Sequence, residues 1–407
     1  MNITEAFADE QFKAYVLEKF CGNRESIQKS DVEQVVSLQL AYHKFSSLKG
    51  IEYFTALEEL DCSCNHLAEL DISNNPNLKL LNCTRNKLTA LNTSHNLQLE
   101  YLSCGNNELT HLDVSNHVKL KALDCGFNRI RDLDISRNAR LTKLECCWNL
   151  ISTLQLEHNL ELAELNCGYN AIFDLQLSPN KKLTRLDCGS NYLINLDIKG
   201  CTNLVELRCN NNHLTGLDVT GNPVLESLRC FNNHIKALDI SRNADLDELY
   251  CSENKISKLD ITNNRKLERL DYANNLIVEP DYTIKGVGTF QYDASLTYYQ
   301  LTLHFKEHEI SVTVDVPSQS AIKQLSSTIK KAWDRLEELQ QRALDLIAEI
   351  HPDEDVSELT MTELQFAQDG TFQLGYDAGD TPAGHLYIYA GFNKKLELNK
   401  NLVYETY

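Results

Sequence analysis

The sequence predicts a right-handed, horseshoe-shaped solenoid of parallel strands built from 21-residue repeats, with a helical cap before it and an α+β domain after it. The prediction rests on a leucine that returns every 21 residues from Leu60 to Leu270, a cysteine column in register with it, and an asparagine column that never breaks.

The repeats read LEELDCSCNHLAELDISNNPN from Leu57, LKLLNCTRNKLTALNTSHNLQ from Leu78, and onward to a truncated LERLDYANNLIV from Leu267. Leu60 and Cys62 alternate with Asp61, so they share the inward face of a short strand. Leu67 turns the chain back, and Leu70 and Ile72 repeat the alternation on the opposite wall. One unit buries roughly half a dozen apolar side chains at about 1.5–3 kcal/mol each. Ordering its backbone costs about 1–2 kcal/mol per residue. A single unit therefore cannot fold, and stacked neighbours supply the difference.

Asn65 and its equivalents through Asn275 sit where the chain leaves the strand, and their amides suit backbone groups stripped from the ladder by the bend. Of the 14 cysteines, ten form the column from Cys62 to Cys251, which ends at Tyr272; Cys21, Cys64, Cys147 and Cys201 lie outside it. Stacked strands hold equivalent residues about 4.7–4.9 Å apart, beyond the roughly 3.8 Å Cβ separation of a disulfide. The column reads as reduced thiols acting as small apolar fillers, without metal or cofactor.

The unit L-x-x-L-D-C-S-x-N-x-L-x-x-L-D-I-S-x-N resembles the cysteine-type bacterial leucine-rich repeats of the internalin group, over about residues 36–280. The resemblance implies a leucine-rich-repeat fold whose concave sheet face binds other proteins, and a surface adhesin as one functional alternative. The N-terminus MNITEAFADEQF has no basic start or apolar run, so a cytoplasmic protein is expected, and a surface or secreted one only if a leader preceded it. No stretch approaches a membrane span. A net charge of −19 disfavours nucleic acid and favours a basic protein partner.

Residues 1–35 read as the cap. Phe12, Val16 and Phe20 mark a helix from Asp9 to Phe20, and Ser30 with Glu33 suggests a capping box for a second. Related caps carry a calcium loop there; Cys21-Gly22-Asn23-Arg24-Glu25-Ser26 lacks its aspartate and glycine, so no metal is expected.

Within the solenoid, 36–280, the candidate partner-binding residues lie on the concave side. Phe127, Trp148 and Tyr169 recur at one position of three consecutive repeats, and Arg208, Arg229 and Tyr250 at another, with Arg185 and Phe231 nearby. An aromatic ridge is thus expected to run into an arginine-rich patch of reversed sign. The competing reading packs the rings sideways and pairs the arginines with Glu206 and Glu226. His213 and His234 are equivalent residues in adjacent repeats, without a recurring third ligand.

Residues 281–407 alternate as strands from Gly288 to Val316. One long helix of about 318–350 follows, marked by Ile322, Leu325, Ile329, Trp333, Leu336, Leu339, Ala343 and Ile347, then further strands around TFQLGYD and GHLYIYAGF. Gly370, Asp377, Gly379, Asp380, Gly384 and His385 carry a resemblance to small bacterial domains found near toxin–immunity genes, which implies an immunity role. Asp377, Asp380 and His385 are the one candidate acid–base set; Asp377–Asp380 reads better as a connecting loop with His385 opening a strand, so no catalytic residue is assigned.

Overall fold

The computed structural model describes residues 1–406 apart from 23, 278, 294, 295, 354 and 383. Asn23 of the cap loop, Val278 of the truncated repeat and Ala383 before His385 lie outside the described residues. The chain forms two compact units, 1–251 with 263–271 and 252–262 with 272–407.

The first unit is the predicted solenoid. Strand β1 (Ser37–Gln39) is followed by β2 (Glu59–Asp61), β3 (Leu80–Asn82), β4 (Tyr101–Ser103), β5 (Ala122–Asp124), β6 (Lys143–Glu145) and β7 (Glu164–Asn166). Then come β8 (Arg185–Asp187), β9 (Glu206–Arg208), β10 (Ser227–Arg229), β11 (Glu248–Tyr250) and β12 (Arg269–Asp271). All twelve pair in parallel and in chain order, with each leucine over its equivalent. The ten column cysteines are buried, and none is in a disulfide. Burial pushes the Cys83 and Cys230 thiols up to about 12.

Asparagine amides stitch these rungs. The Asn149 amide donates to the carbonyls of Cys125 in the preceding rung (3.0 Å) and Cys146 in its own (3.1 Å), and its carbonyl accepts the Ile130 N–H (2.9 Å). The opposite wall carries no described strand, only an isolated bridge between Gln176 and Asp197. A second asparagine column replaces the ladder there: Asn138 donates to Val114 O (3.0 Å) and His117 O (2.9 Å), and Asn159 repeats the pattern to Ile135 and Asn138. Repeat counting overlooked this column because His117 and Cys201 interrupt it.

In the cap, α1 (Glu10–Phe20) begins at Asp9. One Asp9 oxygen accepts the Gln11 and Phe12 N–H groups; the other accepts the Ser46 N–H (2.7 Å) and hydroxyl (2.8 Å), tying the helix to the first rung. Helix α2 spans only Lys29–Val32, and its box lies two residues earlier than expected, with Asp31 accepting the Gln28 N–H at 2.7 Å. The start is fixed there because Lys29 N–H is already bonded to Met1 O. Arg24 and the Cys21 thiol also point to Asp31.

The second unit is α+β. Its eight strands are β13 (Tyr282–Ile284), β14 (Gly288–Asp293), β15 (Tyr298–Phe305), β16 (His308–Val314), β17 (Thr360–Phe366), β18 (Phe372–Thr381), β19 (Gly384–Phe392) and β20 (Leu398–Thr406), adjacent in chain order. Only β16 and β17 pair in parallel, which requires a crossover, and helices supply it. The expected single helix is corrected to two, α3 (Gln319–Asp334) and α4 (Leu336–Ile350), broken at Arg335 (φ −115°, ψ 15°). An unbroken helix over that span would run about 48 Å, whereas strands of seven to ten residues reach about 23–34 Å. The break keeps Ile329, Ala332, Leu336 and Leu339 all in one core.

The burial pattern makes a countable prediction. A thiol reagent should modify Cys64 and Cys147, the two half-buried thiols, in the folded chain, and the other twelve of fourteen only after denaturant is added. Native-state labelling of the column, located by mass spectrometry, would contradict an inward ladder.

Candidate functional site

Side chains flanking the inward leucine point to one face of the sheet. In-register stacking turns each flanking position into a line of side chains. Along the line through Glu59 run Lys143, Glu164, Arg185, Glu206, Glu248 and Arg269; along the line through Asp61 run Asp124, Glu145, Asn166, Asp187, Arg208, Arg229 and Tyr250. Lys143 meets Glu164 at 3.0 Å and Glu145 at 3.4 Å. Arg185 lies between Glu164 (3.8 Å) and Glu206 (4.0 Å), Arg208 pairs with Glu206 (2.7 Å), and Arg229 pairs with Glu248 (3.3 Å) while lying over the Tyr250 ring at 4.9 Å.

The expected arginine patch of reversed sign is therefore corrected: Arg185 and Arg208 both reach Glu206, Arg185 also lies near Glu164, and Arg229 shares Glu248 with Arg269, so Glu226 takes no part. Rungs about 4.8 Å apart penalise stacked like charges, and along the line through Glu59 opposite charges alternate from Lys143 to Glu206. Each such exposed pair contributes about 0–1 kcal/mol.

Phe127, Trp148 and Tyr169 lie in the turn after the strand, not on it, with left-handed φ of 54–55°. They stack face to face, with centroids 5.6 Å apart between Phe127 and Trp148 and 4.0 Å between Trp148 and Tyr169. The same turn position holds Asn106, Asn211, Asn232 and Asn274, and also Cys64, Arg85, Ser190 and Glu253, all left-handed. Asparagine tolerates that conformation, whereas bulky residues pay about 1–2 kcal/mol each. Two ring pairs return about 0.5–1.5 kcal/mol apiece. Three strained residues thus outweigh two stacks, and Trp148 remains 48% exposed. Phe231 sits one position earlier, at a strand exit that is glycine in four rungs, Gly105, Gly126, Gly168 and Gly189.

Phe173 and Tyr192 extend the His213–His234 pair into a second exposed stack. Phe173 lies 5.3 Å from Tyr192, and Tyr192, His213 and His234 continue it at 6.1 and 5.9 Å. It is divided between the two positions beside the Leu67 column, so neither position shows a run of rings; Phe173 is 61% exposed. Asn232 donates to Asn211 and Asn211 to Ser190 beside these rings, giving an uncharged groove. Among the described residues no group of three or more His, Cys, Asp or Glu side chains is placed to hold a metal ion.

In the second unit Asp377–Asp380 is not the connecting loop. It lies within β18 as a bulge, and His385 is the second residue of β19. His385 Nε2 is 2.8 Å from Asp377 and Nδ1 2.8 Å from Asp380. The Asp380 and Asp377 hydrogen bonds raise the histidine pKa. The protonated ring donates from both nitrogens to the two carboxylates, so the trio acts as a clip on the hairpin. Asp377 and Asp380 also edge a cavity of about 730 Å³ with Ile347, Ile388, Glu358 and Tyr404.

No family model and no curated protein matches the chain. Among solved structures, the functional domain of InlJ from Listeria monocytogenes, which includes a cysteine ladder, is 32% identical, covers 69% of this chain and 72% of its own, and has a TM-score of 0.57. A leucine-rich-repeat protein of Leptospira interrogans is 26% identical over 60% of this chain and 64% of its own, with a TM-score of 0.52. The plant peptide hormone receptor RGFR1, solved in complex with RGF2, shares the fold at 20% identity over 63% of this chain and 52% of its own, with a TM-score of 0.51.

Two outcomes follow. Replacing Trp148 with Asn exchanges stacking for a relaxed backbone, so the denaturation midpoint should move by no more than about 1 kcal/mol in free energy; a loss above about 3 kcal/mol would show the ring to be structural. The His385 ring should titrate above the ordinary 6.5 by NMR. Its clip is fully formed below that pH and lost as pH rises through the folded-state value, and Asp377→Asn with Asp380→Asn should return the midpoint toward 6.5.

Proposed function

Because the chain belongs to the internalin-like leucine-rich-repeat proteins with a cysteine ladder, we propose that it is a non-enzymatic scaffold that binds a basic protein through the strand face of its solenoid and the ring stack beside that face. One observation carries this reading: three large, half-exposed rings in consecutive rungs occupy a left-handed turn that elsewhere holds asparagine or Cys64, Arg85, Ser190 and Glu253, and their stacking does not repay the backbone cost. Backbone strain that packing leaves uncompensated, beneath half-exposed aromatic side chains, is characteristic of a recognition surface. The net charge of −19 supports a basic partner through faster encounter and complementary fields.

The protein acts in the cytoplasm in this reading, which fourteen cysteines outside any disulfide support. The C-terminal unit adds a second contact, toward a toxin that the chain neutralises; this rests on the resemblance of residues 370–385. Family membership favours a second reading, a surface adhesin using the same face. An enzymatic role for the C-terminal unit is a third reading; it would rest on His385, Asp377 and Asp380, which here form the hairpin clip.

Affinity capture with the full chain tests the scaffold. A variant carrying Trp148→Asn, Glu145→Lys and Glu164→Lys should lose at least about tenfold of a basic protein recovered by the wild type, at an unchanged circular dichroism spectrum. Equal recovery would remove this face from the reading.

A further inference from the structure

The floor beside the ring stack indicates what a partner presents to it. Gly105, Gly126, Gly168 and Gly189 occupy the strand exit, and none has a left-handed φ, so conformational freedom is not why they are glycine. Space is the reason. A Cβ on Gly105 would lie 2.9 Å from Asp124 Oδ1, and one on Gly168 would lie 3.1 Å from Asp187 Oδ1. The glycines make room for two carboxylates that lean back over the preceding rung.

Each of those carboxylates accepts one backbone N–H, Asp124 from Gly126 at 3.1 Å and Asp187 from Gly189 at 3.0 Å. Burial raises the pKa of both, and the nearby Lys143 (for Asp124) and Arg208 and Arg229 (for Asp187) do not cancel that rise. They are half-buried anions with incomplete compensation.

Their placement relative to the rings is regular. The planes in the stack are within 13° of parallel, so its free faces are those of the end rings, Phe127 and Tyr169. Phe127 faces the rung of Gly105 and Asn106, over which Asp124 leans. Tyr169 faces the rung of Asp187, Gly189 and Ser190. Each end of the stack thus meets a small floor and a carboxylate. A π face beside a carboxylate is the environment a guanidinium fits, because its plane stacks while its edge donates. The strand face already uses this chemistry internally, with Arg229 over Tyr250 at 4.9 Å and Lys121 over Tyr101 at 5.9 Å.

We propose that the two ends of the Phe127–Trp148–Tyr169 stack are seats for arginine side chains of an extended basic segment of the protein partner, one against Asp124 and the other against Asp187. The inference rests on the scaffold reading and gives it a chemistry. The seats are three to four rungs apart, about 14–19 Å, so the arginines are separated by about four to six extended residues.

The test is fluorescence anisotropy of labelled ten-residue Gly/Ser peptides against the full chain. One set carries two arginines four or six residues apart, one carries two adjacent arginines, and one carries glutamates in place of the spaced arginines. The spaced arginine peptides should bind at least about tenfold tighter than the glutamate peptides, and weaken as salt is raised. Phe127→Asn with Tyr169→Asn, which suits the left-handed turns, should reduce that binding at least about tenfold at an unchanged thermal midpoint. Asp124→Asn with Asp187→Asn should do the same.

Equal binding of arginine and glutamate peptides would overturn the seats, as would full binding by the folded Phe127/Tyr169 variant. So would a concentration-dependent dimer of the chain that Trp148→Asn abolishes, since a second copy would then own the stack. Partner capture that depends on Trp148 together with failed arginine peptides would sink this inference alone; capture indifferent to Trp148, Glu145 and Glu164 would sink the scaffold reading beneath it.

Discussion

Each turn of the solenoid bends away from its strand within a few residues, and the bend leaves backbone carbonyls and N–H groups that no strand partner can reach. The structure depends on one side chain that reaches them. An asparagine amide at the bend donates to carbonyls of its own rung and the preceding one, while its carbonyl accepts an N–H from the turn before, as Asn149 does. A buried backbone group left unpaired costs about 1–3 kcal/mol, so losing this residue in every rung would exceed the margin of any ordinary domain. The second column, through Asn138 and Asn159, performs the same task on the wall without strands.

Once the bends are satisfied, the interior can be monotonous. Leucine over leucine and thiol over thiol fill a cross-section that barely changes from rung to rung, and a small apolar thiol suits a column whose neighbours lie too far apart to bond. The exterior is then unconstrained by the core, and every outward position becomes a line along which chemistry can vary. On the line through Glu59 the variation is charge alternation from Lys143 to Glu206, and on the line through Asp61 it passes from carboxylates to arginines. In the turn it is a left-handed position that holds asparagine, small or charged residues in most rungs and three consecutive large rings in the others. The departure from the local rule marks the surface that the fold itself does not need.

Much of this was legible in the residues because a repeat states its own register. The cap helix, the inward thiols and the position of each rung follow from periodicities of 3.6, 2 and 21 residues. Periodicity also limited what could be read. The Asn75 column is broken at His117 and Cys201, so it does not look like a column. The Phe173–Tyr192 stack is split between two positions, so neither shows it. In the second unit, strands β17 and β20 and the break at Arg335 carry no repeat to announce them. The Asp377–Asp380 bulge looks like a loop because its glycine and aspartates are loop residues.

By itself the sequence determined the solenoid, its rung length, the reduced thiol column and which residues face outward, because these depend on spacing along the chain. Tertiary structure alone decided which outward residues meet. Arg185 finds Glu164 and Glu206, Arg229 finds Glu248, and Asp124 and Asp187 lean over glycines of the rung before, because stacking brings residues about 21 apart within a few ångströms. An ion pair or a ring stack is a property of distance and direction, and those exist only after the rungs have closed on one another.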